Sequence, residues 1–118
     1  MKYLTILAVM LLLVGCGPRA GTTVASATFA KDVQPIFAQN CMPCHSGGTD
    51  AKSPYVLTKY DGVMGNGKDS VPNVIAGKPD SSLLYTMLKE SKMPPMGPLA
   101  AAKLDIVMKW ISAGAKNN

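Results

Sequence analysis

The chain carries a single histidine, three cysteines and few large aromatic side chains, with one tryptophan, two phenylalanines and four tyrosines in 118 residues. One histidine rules out any site that needs two imidazoles from the same chain. The length predicts one small domain at most. Much of the 47% hydrophobic fraction sits in one block, Leu4 to Val14. The remaining part, with so few large side chains, is marginal on burial alone. Clustered charge is also missing. Twelve Lys and Arg against seven Asp and Glu give a net charge of +5, but the lysines from Lys31 to Lys116 are scattered singly. That distribution argues against a nucleic-acid face. No internal repeat is present, and the apolar block falls short of the roughly 20 residues a helix needs to cross a hydrocarbon core of about 30 Å.

What is present begins at the N-terminus. Met1-Lys2 gives a positive start, Leu4 to Val14 an apolar stretch, and small residues follow, which is the pattern of a secretory signal. The quartet Leu13-Val14-Gly15-Cys16 resembles the lipobox of bacterial lipoproteins. That resemblance implies removal of a signal peptide, residues 1–15, and lipidation of Cys16 as the new N-terminus. Two or more acyl chains on one residue suffice for stable membrane attachment. The alternative is plain cleavage elsewhere, with Cys16 lost or left as a spare thiol. Residues 16–27 have no period and read as a flexible tether, and the part from Gly17 to Ala27 reaches at most about 36 Å when stretched. A folded domain, residues 28–118, is thus expected outside the cytoplasm, on the periplasmic or cell-surface side of a bacterial membrane.

Cys41-Met42-Pro43-Cys44-His45 is the one high-information motif, a C-x-x-C-H run in a chain bearing an export signal. Two thiols three residues apart lie on one face of a helical turn and can each add to a vinyl group of haem. The imidazole that follows then projects at the iron. Three other uses are weaker. A thioredoxin-type redox pair expects an adjacent strand and a βαβ pattern. A zinc site needs four ligands, and beyond the signal these three residues are the only candidates. A structural disulfide leaves His45 without a role. The expected cofactor is therefore one covalently attached haem c, bound by Cys41 and Cys44 with His45 on the iron.

With no second histidine, the other axial position falls to methionine, a weaker ligand or nothing; a thioether there raises the potential. Met42 lies inside the attachment loop, Met64 in a Gly-rich loop, and Met87 and Met108 in stretches with helical periodicity that suit core packing. Lys92-Met93-Pro94-Pro95-Met96-Gly97-Pro98 is the better source. Pro94 turns Met93 away from helical geometry, and the two prolines make a stiff strut. Met93 is the expected ligand and Met96 the reserve; the remaining alternative is a proline-rich loop that only lids the haem.

Helical spacing predicts a first helix carrying Phe29, Val33, Ile36 and Phe37, capped by Thr28 and disturbed at Pro35. A short helix is expected near Lys59 to Met64. A further helix runs from Ser82 to Leu88 behind a cap at Asp80 or Ser81. The last opens at Pro98-Leu99-Ala100, presents Leu104, Val107, Met108 and Ile111 with Trp110 alongside, and ends at Gly114. It is expected to cross the first helix through Phe37 and Trp110. Between His45 and Pro79 the chain is mostly loop.

These residues resemble the monohaem class I cytochromes c, in particular small bacterial domains with C-x-x-C-H, then Gly-x-Pro-x-x-Ser-x-Leu-Tyr, then Met-Pro-Pro ahead of a final helix. Here these are Cys41 to His45, Gly77 to Tyr85, Met93-Pro94-Pro95, and Trp110 to Ala115. The similarity covers about residues 28 to 115. It departs in a stretched serine-leucine spacing at Ser81 to Leu84 and in Met96, where such domains often have glycine. The resemblance implies an all-α, cytochrome c-like fold of three to four helices and long loops wrapped around one covalently attached haem, with His45 proximal and Met93 distal. It implies a one-electron carrier between membrane-associated redox protein partners, not an enzyme and with no small-molecule substrate. A haem subunit of a larger oxidoreductase and a five-coordinate gas-binding sensor are the competing uses. Lys52, Lys68, Lys78 or Lys92 would rim a docking surface, or are simply solvated.

Overall fold

The computed structural model describes residues 26–67 and 70–118. The expected signal peptide, Cys16 and most of the tether lie outside the described residues, as does Lys68. Ala27 already packs against the core.

A widened, π-helical turn, Phe29–Val33, leads directly into α1, Gln34–Asn40. Pro35 explains the join. It has no N–H to close the regular four-residue bond, and the bonds ahead of it span five residues instead, from Val33 N–H to Thr28 O (3.2 Å) and from Gln34 N–H to Phe29 O. Thr28 occupies the N-cap position, but its hydroxyl does not accept from the helix as expected. Its N–H and Oγ1–H both donate to the Asp32 carboxylate, at 2.6 and 2.9 Å. The next two exposed donors, Phe29 N–H and Ala30 N–H, are satisfied by the Asn118 side chain and carbonyl at 3.0 and 2.9 Å. The C-terminal residue thus closes the start of the first helix.

The short helix expected after the motif is α2, Tyr60–Val63. A 3₁₀ turn, Pro79–Ser81, precedes α3, Leu83–Lys89. Here the expected cap shifts by one or two residues. Asp80 and Ser81 belong to the 3₁₀ turn, and Ser82 sits at the N-cap, fully buried. Its hydroxyl accepts from Ile75 N–H (2.8 Å) and donates to Lys78 O (2.9 Å), so it staples the preceding loop and leaves the helix uncapped by side chain. The last helix is α4, Ala101–Ser112. It ends in a Schellman turn: Ala115 N–H bonds Trp110 O and Gly114 N–H bonds Ile111 O, with Gly114 at φ 104°. Among the described residues there is no strand, only an isolated bridge between Asn66 and Pro72, and no helix is long and apolar enough to cross a membrane. The fold is all-α, as expected.

The core gathers Phe29, Val33, Ile36 and Phe37 with Leu57, Val63, Val74, Leu84, Leu88, Leu99, Val107, Trp110 and Ile111. Trp110 stands inside it. Its ring neighbours are Phe29 at 5.5 Å and Tyr60 at 6.4 Å between centroids, not Phe37 as expected, because α4 crosses the π-helical turn ahead of α1. Met108, about 100° around the helix from Val107, and Met87 are half-buried and stand outside the core cluster.

The two Thr28 bonds hold the Asp32 carboxyl below its ordinary 3.8. A depressed carboxyl stabilises the fold above its unfolded value and loses that contribution as pH falls through the folded value. Thermal midpoints of Asp32→Ala and the native chain, followed against pH, should therefore differ most near neutrality and converge below pH 3.8.

Candidate functional site

The C-x-x-C-H motif continues the end of α1. Cys41 N–H still bonds Phe37 O at 2.9 Å, and His45 N–H bonds Cys41 O at 3.1 Å, so the two thiols and the imidazole are carried on one tight turn. The chain then doubles back. Lys52 and Ser53 N–H both reach Cys44 O (3.0 and 3.2 Å), and Leu57 N–H reaches His45 O (2.9 Å). This return brings the Tyr55 carbonyl to 2.7 Å from His45 Nδ1.

A carbonyl only accepts, so Nδ1 carries the ring proton and Nε2 keeps its lone pair for a metal. The residue that accepts this proton has no signal in sequence. Tyr55 is a lone aromatic in a polar loop, ten positions from His45. It is pinned at both ends: its N–H bonds Ser53 Oγ at 3.2 Å and its hydroxyl bonds Val63 O in α2 at 2.8 Å. Its ring stands edge-on to the imidazole at 5.8 Å. Burial, and to a lesser degree charge on Cys41, raises the phenol, which stays a protonated donor.

The donor set fits haem better than its competitors. Cys41 and Cys44 are free, half-buried thiols. Burial pushes the Cys41 thiol up to about 11, the reverse of the lowered thiol that drives disulfide exchange. Among the described residues no three of His, Cys, Asp and Glu converge as a metal cage, so the motif does not gather itself for zinc. Met42, Tyr55, Met64, Tyr85, Leu104 and Ile106 pack on the core yet remain half-buried. An apolar macrocycle suits such a set; a hydrated ion does not.

The methionine segment follows α3 directly. That helix also closes in a Schellman pattern, Lys92 N–H to Met87 O and Ser91 N–H to Leu88 O, with Ser91 at φ 56° where glycine is usual. Met93 N–H makes a further bond to Met87 O at 3.1 Å. Met93 is 37% exposed and Met96 99%. Of the lysines considered for docking, Lys92 pairs with Glu90 at 2.6 Å, while Lys52 and Lys78 are exposed without an acidic partner among the described residues.

Residues 41–97 match the family model described as Planctomycete cytochrome C. Cytochrome c6 of Synechocystis sp. is 39% identical over 56 residues, which are 48% of this chain and 46% of that protein. The chain thus spans about half the length of the curated relative it matches. No solved structure matches it. A helical fold around a C-x-x-C-H turn, together with these likenesses, supports a class I c-type cytochrome. Its cofactor is haem c, held covalently.

The backbone one residue beyond the carbonyl that orients His45 is closely approached by α2. A Cβ on Gly62 would meet Val56 O at 2.5 Å, whereas one on Gly48 would meet nothing nearer than Ser46 Oγ at 3.7 Å. Gly62→Ala should cost about 1–3 kcal/mol through this overlap. Gly48→Ala should be close to neutral in the same denaturant titration.

Proposed function

We propose that the protein carries one electron at a time between membrane-associated redox protein partners on the extracytoplasmic side of a bacterial membrane. Cys41 and Cys44 form the thioether bonds, His45 Nε2 is the proximal ligand and Met93 Sδ the distal one. Haem c supplies a one-electron iron couple whose position is set by its axial ligands and surroundings. The single observation that carries the reading is the His45 Nδ1–Tyr55 O bond, which readies the only imidazole in the chain for iron. Tyr55 keeps that ring in one tautomer and one orientation in both redox states, so little reorganises when charge changes. Met93 is preferred to Met96 because it is anchored to the end of α3 through Met87 O, whereas Met96 stands free in solvent. Two protein ligands leave no open position for a substrate, which suits a carrier.

Cys16 anchors the chain through lipid, and residues 16–27 tether the domain near the surface where its partners work. Lys52 and Lys78, exposed and without an acidic partner among the described residues, favour acidic docking surfaces and raise encounter rates at low salt.

Protein matured in a bacterium that attaches haem c should be coloured, with a mass equal to lipidated polypeptide plus one haem. Its ferric form should show a thioether-to-iron charge-transfer band. Met93→Ala should abolish that band and Met96→Ala should keep it; the opposite result moves the ligand to Met96. Cys16→Ala should release the protein from the membrane fraction, and continued sedimentation with membranes would sink the anchor.

A further inference from the structure

The bond that orients His45 is itself held by the far end of the residue that accepts it. Tyr55 gives its carbonyl to His45 Nδ1 at 2.7 Å and its hydroxyl to Val63 O at 2.8 Å, and its N–H is fixed to Ser53 Oγ at 3.2 Å. Val63 is fully buried, so its carbonyl is a rigid anchor. α2 also brings Gly62 against Val56, the next residue, so closely that an added Cβ would lie 2.5 Å from the Val56 carbonyl oxygen. The phenol is not needed to accept the imidazole proton; any residue offers a carbonyl. What the phenol adds is stiffness.

We propose that the Tyr55 phenol is a positioning group that, through Val63, sets how tightly the Tyr55 carbonyl holds the His45 Nδ1 proton and so tunes the reduction potential. This rests on ligation of the haem iron by His45. A tight Nδ1–H···O bond makes Nε2 more basic and favours the oxidised metal. Loosening the anchor weakens that bond and moves the potential upward.

The test uses haem-loaded protein and three variants. Tyr55→Phe removes only the anchoring hydroxyl. Ser53→Ala removes the weaker tie at the Tyr55 N–H and is the deciding variant if Tyr55→Phe does not accumulate. Tyr60→Phe is the matched control: its hydroxyl bonds Ala115 O at 2.7 Å, again on a fully buried residue, and touches neither Tyr55 nor His45 through that bond. Tyr55→Phe should raise the midpoint potential and speed solvent exchange of the His45 ring proton in the reduced protein. Ser53→Ala should do the same to a smaller extent. Tyr60→Phe should lower the thermal midpoint while leaving the potential and the exchange rate alone. The proposal is overturned if Tyr55→Phe changes neither quantity, or if Tyr60→Phe moves the potential as far. Native protein with the mass of polypeptide without haem would instead overturn the ligation on which it rests.

Discussion

The sole imidazole of the chain is held by a backbone carbonyl ten residues further on, and much of residues 41–63 is arranged to bring those two atoms together. The turn at the end of α1 sets where His45 begins. The return of residues 52–57 onto the Cys44 and His45 carbonyls sets where Tyr55 ends. A helix of four residues has no stability of its own, and α2 persists because its flanks are held. Tyr60 bonds Ala115 O and its ring packs edge-on to Phe29 at 5.3 Å, while Val63 receives the Tyr55 hydroxyl.

Loops of this composition survive by answering their own polar groups. Asn73 is buried, donates to Gly65 O at 2.7 Å and accepts Leu84 N–H on its carbonyl at 2.9 Å, tying the Gly-rich stretch to the head of α3. Ser82 does the same for residues 75–78. Among the described residues no buried side-chain polar atom lacks a partner. Such staples define a conformation but add little apolar burial, and each is worth about 1 kcal/mol net. The half-buried side chains of Met42, Tyr55, Met64, Tyr85, Leu104 and Ile106 leave apolar surface that a covalently held macrocycle would be suited to cover.

Helical spacing made the apolar faces legible: Phe29, Val33, Ile36 and Phe37 are all buried, and Val107, Trp110 and Ile111 form the inner face of α4. The adjacent C-x-x-C-H residues made the chemistry legible for the same reason, since a short spacing fixes a local geometry. The errors arise where a residue has two uses. Ser82 reads as the first turn of a helix but its hydroxyl serves the loop before it, and Thr28 reads as an acceptor but acts as a donor because Asp32 lies one turn on. The Phe29–Trp110 pairing and the Tyr55 carbonyl were illegible because both join distant parts of the chain through the path of the backbone. A carbonyl belongs to every residue, so nothing in its own sequence marks the one that matters.

The two sides of the proposed iron site are built differently, and the difference follows from their backbones. His45 is embedded in a web of hydrogen bonds that leaves its ring one tautomer and one direction. Met93 sits on a proline strut beyond a helix end, tied through its own N–H and that of Lys92 to one carbonyl, Met87 O, with its side chain partly in solvent. In the proposed site the imidazole would be held by its own loop and the thioether by a proline strut, whose stiffness limits the entropy lost when Met93 takes its place. Order on the His45 side thus comes from hydrogen bonds and on the Met93 side from the helix end and the proline rings.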